Sequence, residues 1–325
     1  MKLTAAQEER AQRLHRQALG WDSHCDTLMD ITAGRRTLGQ RSTGGHLDLP
    51  RLRQGGVKVQ IFAIYIESPP FLRRTLEFIS AFYRELAENK GKLALATSAA
   101  EIKEATARGE VAALLSIEGG EALEGTPAIL PCLYRLGVRA LGLTWNHRNQ
   151  LADGIAEART GGGLTTLGLE TVAEMNRLGM VVDVSHLSPA GFWDVLEHSR
   201  HPVIASHSNA RGLHDHPRNL DDDQIRALAA RGGVMGINFA PDFLGPGANL
   251  ETVLDHIDYI ARLAGCDCIG LGSDYDGISA TPGGLEDVTQ LSNITRGLVA
   301  RGYSDPDILK ILGGNFARVF AGVIG

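Results

Sequence analysis

Six side chains able to bind a metal or move a proton stand where apolar runs of this chain end. They are His24 and Asp26 in WDSHCDTLMD, Glu118 in SIEGG, His186 in DVSHLS, His207 in ASHSNA and Asp274 in GSDYDG. Three imidazoles supply neutral nitrogen donors and the carboxylates supply anionic oxygens, a mixture suited to Zn(II) and its first-row neighbours. Each residue also has a plain reading. Glu118 can lead a turn, Ser188 can cap a helix with His186 incidental beside it, and SHSNAR can be a polar turn. The chain carries its own control, because GGHLDLP holds a second His-x-Asp, His46 and Asp48. Flanking glycines and a proline make that one a loop. Address separates the two patterns: the six residues share a place at the carboxyl end of a run. Alternate strand residues face opposite sides, so His24 and Asp26 face together and Cys25 faces away.

Eight short apolar runs position these residues: LGWDSHCD, VKVQIFAIYI, VAALLSIEGG, VRALGLTWNH, GMVVDVSHLS, HPVIASHSNA, GGVMGINFAP and CDCIGLGSDYDG. Between them lie segments of helical period, among them RRTLEFISAFYRELAENKG, SPAGFWDVLEHS and LETVLDHIDYIARLAG, several opening on Ser, Asp or Thr and closing on Gly. Strands that are nearly continuously apolar and alternate with helices predict a parallel sheet covered on both faces. Eight such units in 325 residues fit a (β/α)8 TIM-type barrel of about 250 residues plus insertions. The competing doubly wound sheet normally carries GxGxxG after its first strand, and this chain has none there. The expected organisation is a single domain over residues 1–325, with an N-terminal helix over 1–19. In such a barrel the active site lies at the carboxyl ends of the strands, where the six residues stand.

Composition narrows the function classes. Hydrophobic residues make up 43% and charged residues 22%, with a formal net charge of −6 and no basic stripe, which argues against nucleic-acid binding. No window approaches the ~18 consecutive apolar residues of a membrane span, and the polar start lacks the apolar core of a signal peptide. The apolar end RVFAGVIG is short and has no polar spacer before it, so no lipid anchor or membrane is expected. Cys25, Cys132, Cys266 and Cys268 show no CxxC spacing, which suits a reducing cytoplasm. Cys266 and Cys268 open the eighth run, far from the active end, and read as structural. No GxSxG elbow is present. Asp183, in DVSH, is a candidate for orienting a ligand histidine from behind.

The series DSHCD, SIEGG, LTWN…NxLADG, DVSHLS, ASHSNAR…PRNL and GSDYDG resembles the membrane (renal) dipeptidase family of binuclear zinc peptidases, in a bacterial form, from about residue 20 to residue 320. The resemblance implies an amidohydrolase-like barrel that hydrolyses dipeptides and often accepts a D-residue at the C-terminal position. It implies two zinc ions per chain. His24, Asp26 and Glu118 would hold one, and Glu118 would bridge to the second with His186 and His207. A hydroxide shared by the metals would attack the peptide carbonyl, Asp274 would carry the proton and Arg218, in HPRNL, would grip the substrate carboxylate. Where the family's mammalian members have a histidine after the LT of the fourth strand, this chain has Trp145, with His147 two residues on. If the strand continues, the two face the same way and His147 can compensate. The resemblance also implies a homodimer. The rival activities are an amidohydrolase acting on N-acyl amino acids or cyclic amides, and a non-catalytic barrel that binds a metal or small ligand.

Overall fold

Aliphatic and β-branched runs pair as strands, and here all of them pair in parallel. The computed structural model describes residues 2–325. Its strands are β1 (Trp21–Asp22), β2 (Val59–Tyr65), β3 (Leu93–Leu95), β4 (Val111–Glu118), β5 (Val138–Gly142), β6 (Val181–Asp183), β7 (Ile204–Ala205), β8 (Val234–Ile237) and β9 (Ile269–Leu271). Hydrogen-bonded order runs β1-β2-β4-β5-β6-β7-β8-β9, with β3 pairing to β4 off that path. The eight strands of the path are the eight apolar runs, in sequence order, and they form a nearly closed (β/α)8 barrel. β3 is the addition. Its three residues, aligned Leu93 to Val111, are too short to show a period of their own.

The seam between β1 and β9 closes through single bonds rather than a ladder. The Ser23 amide donates to the Leu271 carbonyl at 3.0 Å, the Asp274 amide to His24 at 3.2 Å, and the Asp26 amide to Tyr275 at 2.9 Å. Asp22 is wholly buried because it stitches this seam. Its carboxylate accepts from the Ser273 amide at 2.8 Å, the Ser273 hydroxyl at 2.7 Å and Gln60 Nε2 at 3.1 Å. A buried carboxylate with three donors avoids the cost of an unpaired charge.

The barrel interior is packed with Val59, Ile61, Leu114, Val181, Ile204 and Val234. Helix Asn315–Ile324 plugs its amino-terminal end, with Phe316 and Phe320 at 6.1 Å and 5.1 Å from the Trp21 ring. Val319, Phe320, Val323 and Ile324 of the apolar tail RVFAGVIG are therefore part of the core. Phe316 is fully buried, so Phe316→Ala is expected to lower the unfolding free energy by about 3–5 kcal/mol, read from the urea midpoint. An unshifted midpoint would contradict the plug.

Helices clothe the outside, and several are capped by the Ser, Thr, Asp or Asn before them. Thr4 and Asn249 form capping boxes at Ala5–Gln17 and Leu250–Ala264, the latter burying Val253, Leu254, Ile257 and Ile260. The N-terminal helix is shorter than the 1–19 expected, because Ala18 already has extended backbone angles. Among the described residues no helix is long and apolar enough to cross a membrane.

Candidate metal centre and active-site cavity

Glu118 is the last residue of β4, and the other five candidates lie two to four positions beyond a paired strand. The carboxyl ends of the barrel converge, which brings residues from five strands to one point. Glu118 Oε1 lies 2.8 Å from His186 Nε2 and 3.5 Å from His207 Nε2, while its Oε2 lies 3.6 Å from His24 Nε2. Asp26 Oδ2 is 3.4 Å and Asp274 Oδ1 3.9 Å from the same His24 nitrogen. His24, Asp26 and Glu118 can thus hold one cation, and Glu118, His186 and His207 another; His24, His207 and Asp274 make a third donor group that overlaps both. Glu118 belongs to the first two sets.

Electrostatics and orphaned atoms test whether cations fit. His24 Nε2 and Asp26 Oδ1 are buried with no hydrogen-bond partner among the described residues. The Nε2 atoms of His186 and His207 face each other at 2.8 Å. Burial, helped by Arg218, lowers His186 to about 4. Burial likewise holds His207 well below the usual imidazole range, so both rings are neutral donors. At His24, burial pulls down, but the Glu118 and Asp26 carboxylates raise the imidazole well above its ordinary value. Glu118 shows the reverse: burial pushes up, yet His24 and His186 hold it well below the carboxylate range. Facing lone pairs, an unpaired buried oxygen and a concentrated negative charge are what divalent cations satisfy.

Hydrogen bonds behind the rings set their tautomers. The Ser206 hydroxyl donates to Asp183 and so accepts from His207 Nδ1 at 2.7 Å, which leaves the His207 Nε2 lone pair on the cavity. Asp183, read from the sequence as orienting a histidine, acts on His207 through this serine. The Asn146 side-chain oxygen accepts from His186 Nδ1 at 2.8 Å, with the same effect. His186 has φ of 69°, a left-handed conformation held from both sides by that bond and by the Ile155 amide donating to its carbonyl at 2.7 Å. The DVSHLS alternatives both occur, since Ser188 also caps the helix Pro189–His198.

Asp274, with φ of 62°, has Oδ2 tied to Asn238 Nδ2 at 2.9 Å and Oδ1 turned towards His24. Burial is the main reason its carboxyl is pushed up to about 7; His24 pulls down while Asp26 and Glu118 push up. The cavity above these residues holds about 380 Å³, the scale of a small ligand. Arg218 reaches it from the segment after β7. Its Nη2 donates to the His207 carbonyl at 3.1 Å, its Nε has no partner among the described residues, and Phe243 lies 5.5 Å beneath it. A buried guanidinium with a free donor is a receptor for an anion.

Trp145 lines the cavity, its ring 5.2 Å from Tyr65 and 6.1 Å from His186. β5 stops at Gly142, so the alternation that would pair Trp145 with His147 does not reach them. His147 is solvent-exposed and outside the cavity lining, and the residue between, Asn146, lines it instead. Substitution of the family histidine by His147 therefore has no support in the geometry. Cys25 faces away, towards the Ile61 carbonyl at 3.5 Å. His46 and Asp48 stand outside both donor sets, and Asp48 caps the helix Leu49–Gln54. Asn146, Asn238 and Ser206 are the functional neighbours that sequence reasoning did not single out. Amides and hydroxyls also fill ordinary turns, and nothing in their spacing marks these three.

The family model for membrane dipeptidase (peptidase family M19) matches residues 8–324. The chain is 36% identical over 297 residues to an uncharacterised dipeptidase of Schizosaccharomyces pombe, covering 85% of this chain and 73% of that protein. It is 36% identical over 296 residues to dipeptidase aclJ of Aspergillus oryzae, covering 86% and 70%. A solved metallopeptidase from Rhodobacter sphaeroides, liganded with a phosphinate mimic of the dipeptide L-Ala-D-Ala, matches with TM-score 0.88 and 31% identity over 94% of this chain and 99% of that one. Dipeptidase AC, a metallopeptidase of family M19, matches with TM-score 0.89 and 33% identity over 95% and 99%.

Proposed function

The chain belongs to the membrane dipeptidase family and is a metallo-dipeptidase, and from that premise we propose that it works with two zinc ions per chain and accepts dipeptides with a D-residue at the C-terminal position. The observation that carries the metal reading is the position of Glu118, shared by two donor sets. In this reading His24, Asp26 and Glu118 hold one ion, and Glu118, His186 and His207 hold the other. When bound, cations held by these residues would supply positive charge that makes the attacking water more acidic and polarises the scissile carbonyl. The D-residue reading is supported by the L-Ala-D-Ala mimic carried by the Rhodobacter sphaeroides relative.

The chain's own residues do the rest. Asp274, with Oδ2 fixed by Asn238 and Oδ1 free, takes the proton from the attacking water and returns it to the leaving amine. Arg218 binds the substrate's terminal carboxylate through its unpartnered Nε, which sets the register of the peptide bond over the centre. Trp145 packs against the substrate as a wall. Its indole carries only an N–H donor, so it takes no part in acid–base steps. Arg218→Met is expected to raise KM by about ten- to a hundred-fold and to change kcat less; an unchanged KM would remove the carboxylate clamp.

The whole chain acts as one barrel domain in this reading, as a cytoplasmic homodimer; its four free cysteines are in keeping with a reducing setting. A solution mass near that of one 34.8 kDa chain would rule out the dimer. The activity is tested by a dipeptide panel that includes L-Xaa-D-Xaa pairs, set against N-acyl amino acids. Hydrolysis of dipeptides with N-acyl amino acids left intact is expected, and the opposite preference would favour a different amidohydrolase.

A further inference from the structure

Asp274 and Asp276 both adopt left-handed backbone angles, φ 62° and 70°, a conformation that Asp tolerates better than most non-glycine residues and that local hydrogen bonds hold in place. At Asp276 the surroundings are visible. Its backbone amide donates to His46 Nδ1 at 2.8 Å, and its Oδ1 accepts from the His46 amide at 2.6 Å. Its Oδ2 accepts from the Thr27 hydroxyl and from Arg36 Nη2, both at 2.5 Å. Arg36 in turn donates Nε to Asp30 at 2.7 Å and Nη1 to the Leu47 carbonyl at 2.5 Å. The side chains of Arg36 and Asp276 are 6% and 3% exposed, so little water competes for these bonds. Burial keeps His46 below the ordinary imidazole range, hence neutral, with an Nδ1 lone pair to offer.

The two ends of this cluster are one residue from Asp26 and two from Asp274. Thr27 follows Asp26 directly, and the Asp26 amide donates to the Tyr275 carbonyl at 2.9 Å. Gly277 shows how little slack remains: a Cβ there would lie 2.2 Å from Asp26 Oδ2 and 2.7 Å from Asp274 Oδ1. A shift of the loop by a fraction of a residue would close or open the gap between the two carboxylates. Asp276 borders the cavity, but its side chain is 3% exposed and both oxygens already accept hydrogen bonds within the chain, so its main work is to hold the loop.

We propose that Asp276, gripped by His46 and Arg36, is a positioning residue that sets the spacing between the Asp274 loop and the Asp26 turn, and with it the approach of Asp274 to the metal centre. The inference rests on the dipeptidase mechanism given above. It also gives His46 a role: the His-x-Asp that is no metal site is the clamp on the proton-carrying loop.

His46→Ala removes the Nδ1 acceptor, and His46→Asn puts an oxygen near the same position. In zinc-loaded protein, His46→Ala is expected to lower kcat about ten- to fifty-fold with KM within about twofold of the parent, and His46→Asn to recover kcat to within about threefold. In metal-free protein, hydrogen exchange at the Asp276 and Asp26 amides is expected to quicken in His46→Ala and to match the parent in His46→Asn. Arg36→Lys, which loses the fork but keeps the charge, serves if His46→Ala fails to fold, with the same kcat loss and faster exchange expected. A kcat within twofold of the parent, an Asn variant as slow as the Ala variant, or a raised KM with kcat kept would each overturn the clamp. Exchange needs no turnover, so it decides the clamp even if the parent cleaves no dipeptide, a result that would count against the mechanism instead.

Discussion

Asp274→Asn is expected to lower kcat on a good dipeptide by about 10³-fold while bound zinc stays at the parent's level. The side chain keeps its size, and Asn238 can still hold one atom in place. What it loses is the ability to accept a proton, because an amide oxygen is far too weak a base. In the metal-free chain, burial and the neighbouring carboxylates push the Asp274 carboxyl up to about 7. Cations beside it lower that value, so in the loaded enzyme the group is ionised at neutral pH. A base must be ionised to work, so parent activity should rise with pH through an acid limb whose midpoint lies below 7. That limb should vanish in Asp274→Asn. A variant with near-parental kcat would remove Asp274 from proton transfer, and a variant that loses zinc would make it a ligand instead.

Glu118→Gln is expected to take activity down by about 10⁴-fold or more and to reduce bound metal at both positions. Glu118 is the one residue common to the His24–Asp26 and His186–His207 sets, so its loss weakens both at once. The metal-free protein offers a second readout. Glu118 is held well below its ordinary 4.5, so its contribution to stability is present at neutral pH and lost as pH falls through the lowered value. His24 is raised well above 6.5, so its contribution is complete below 6.5 and lost as pH rises through the raised value. The contribution of this pair is therefore complete between 4.5 and 6.5, and Glu118→Gln should remove the acid-side loss that belongs to it. Unchanged zinc binding by this variant would separate the two sites and end the shared-ligand reading.

The barrel was legible because its strands are buried on both faces and interrupted by helices of clear period. The site was legible for a related reason: histidines and carboxylates are conspicuous at the end of an apolar run, and the barrel places all such ends together. Strand lengths were much less so. LGWDSHCD has eight residues, yet only Trp21 and Asp22 pair as a strand and Cys25 adds a single bridge to Tyr275, since the seam beyond them closes through side chains and single amide bonds. Trp145 and His147 show the same limit, because alternation stops with β5 at Gly142. The supporting shell was hidden for another reason. His46 and Asp276 are 230 residues apart in the chain, and their partners are of types that also make turns and caps. Short-range pattern carries no record of such bonds. The His-x-Asp comparison illustrates both halves: address told the pattern that joins the strand-end cluster from its twin, but only the fold shows what the twin's histidine holds.

Adding zinc to metal-free protein while following hydrolysis of a dipeptide with a C-terminal D-residue tests the central claim most directly. The account predicts no turnover without metal and a rise to a plateau at two equivalents per chain. Full activity in the metal-free protein, or a plateau at one equivalent, would contradict it.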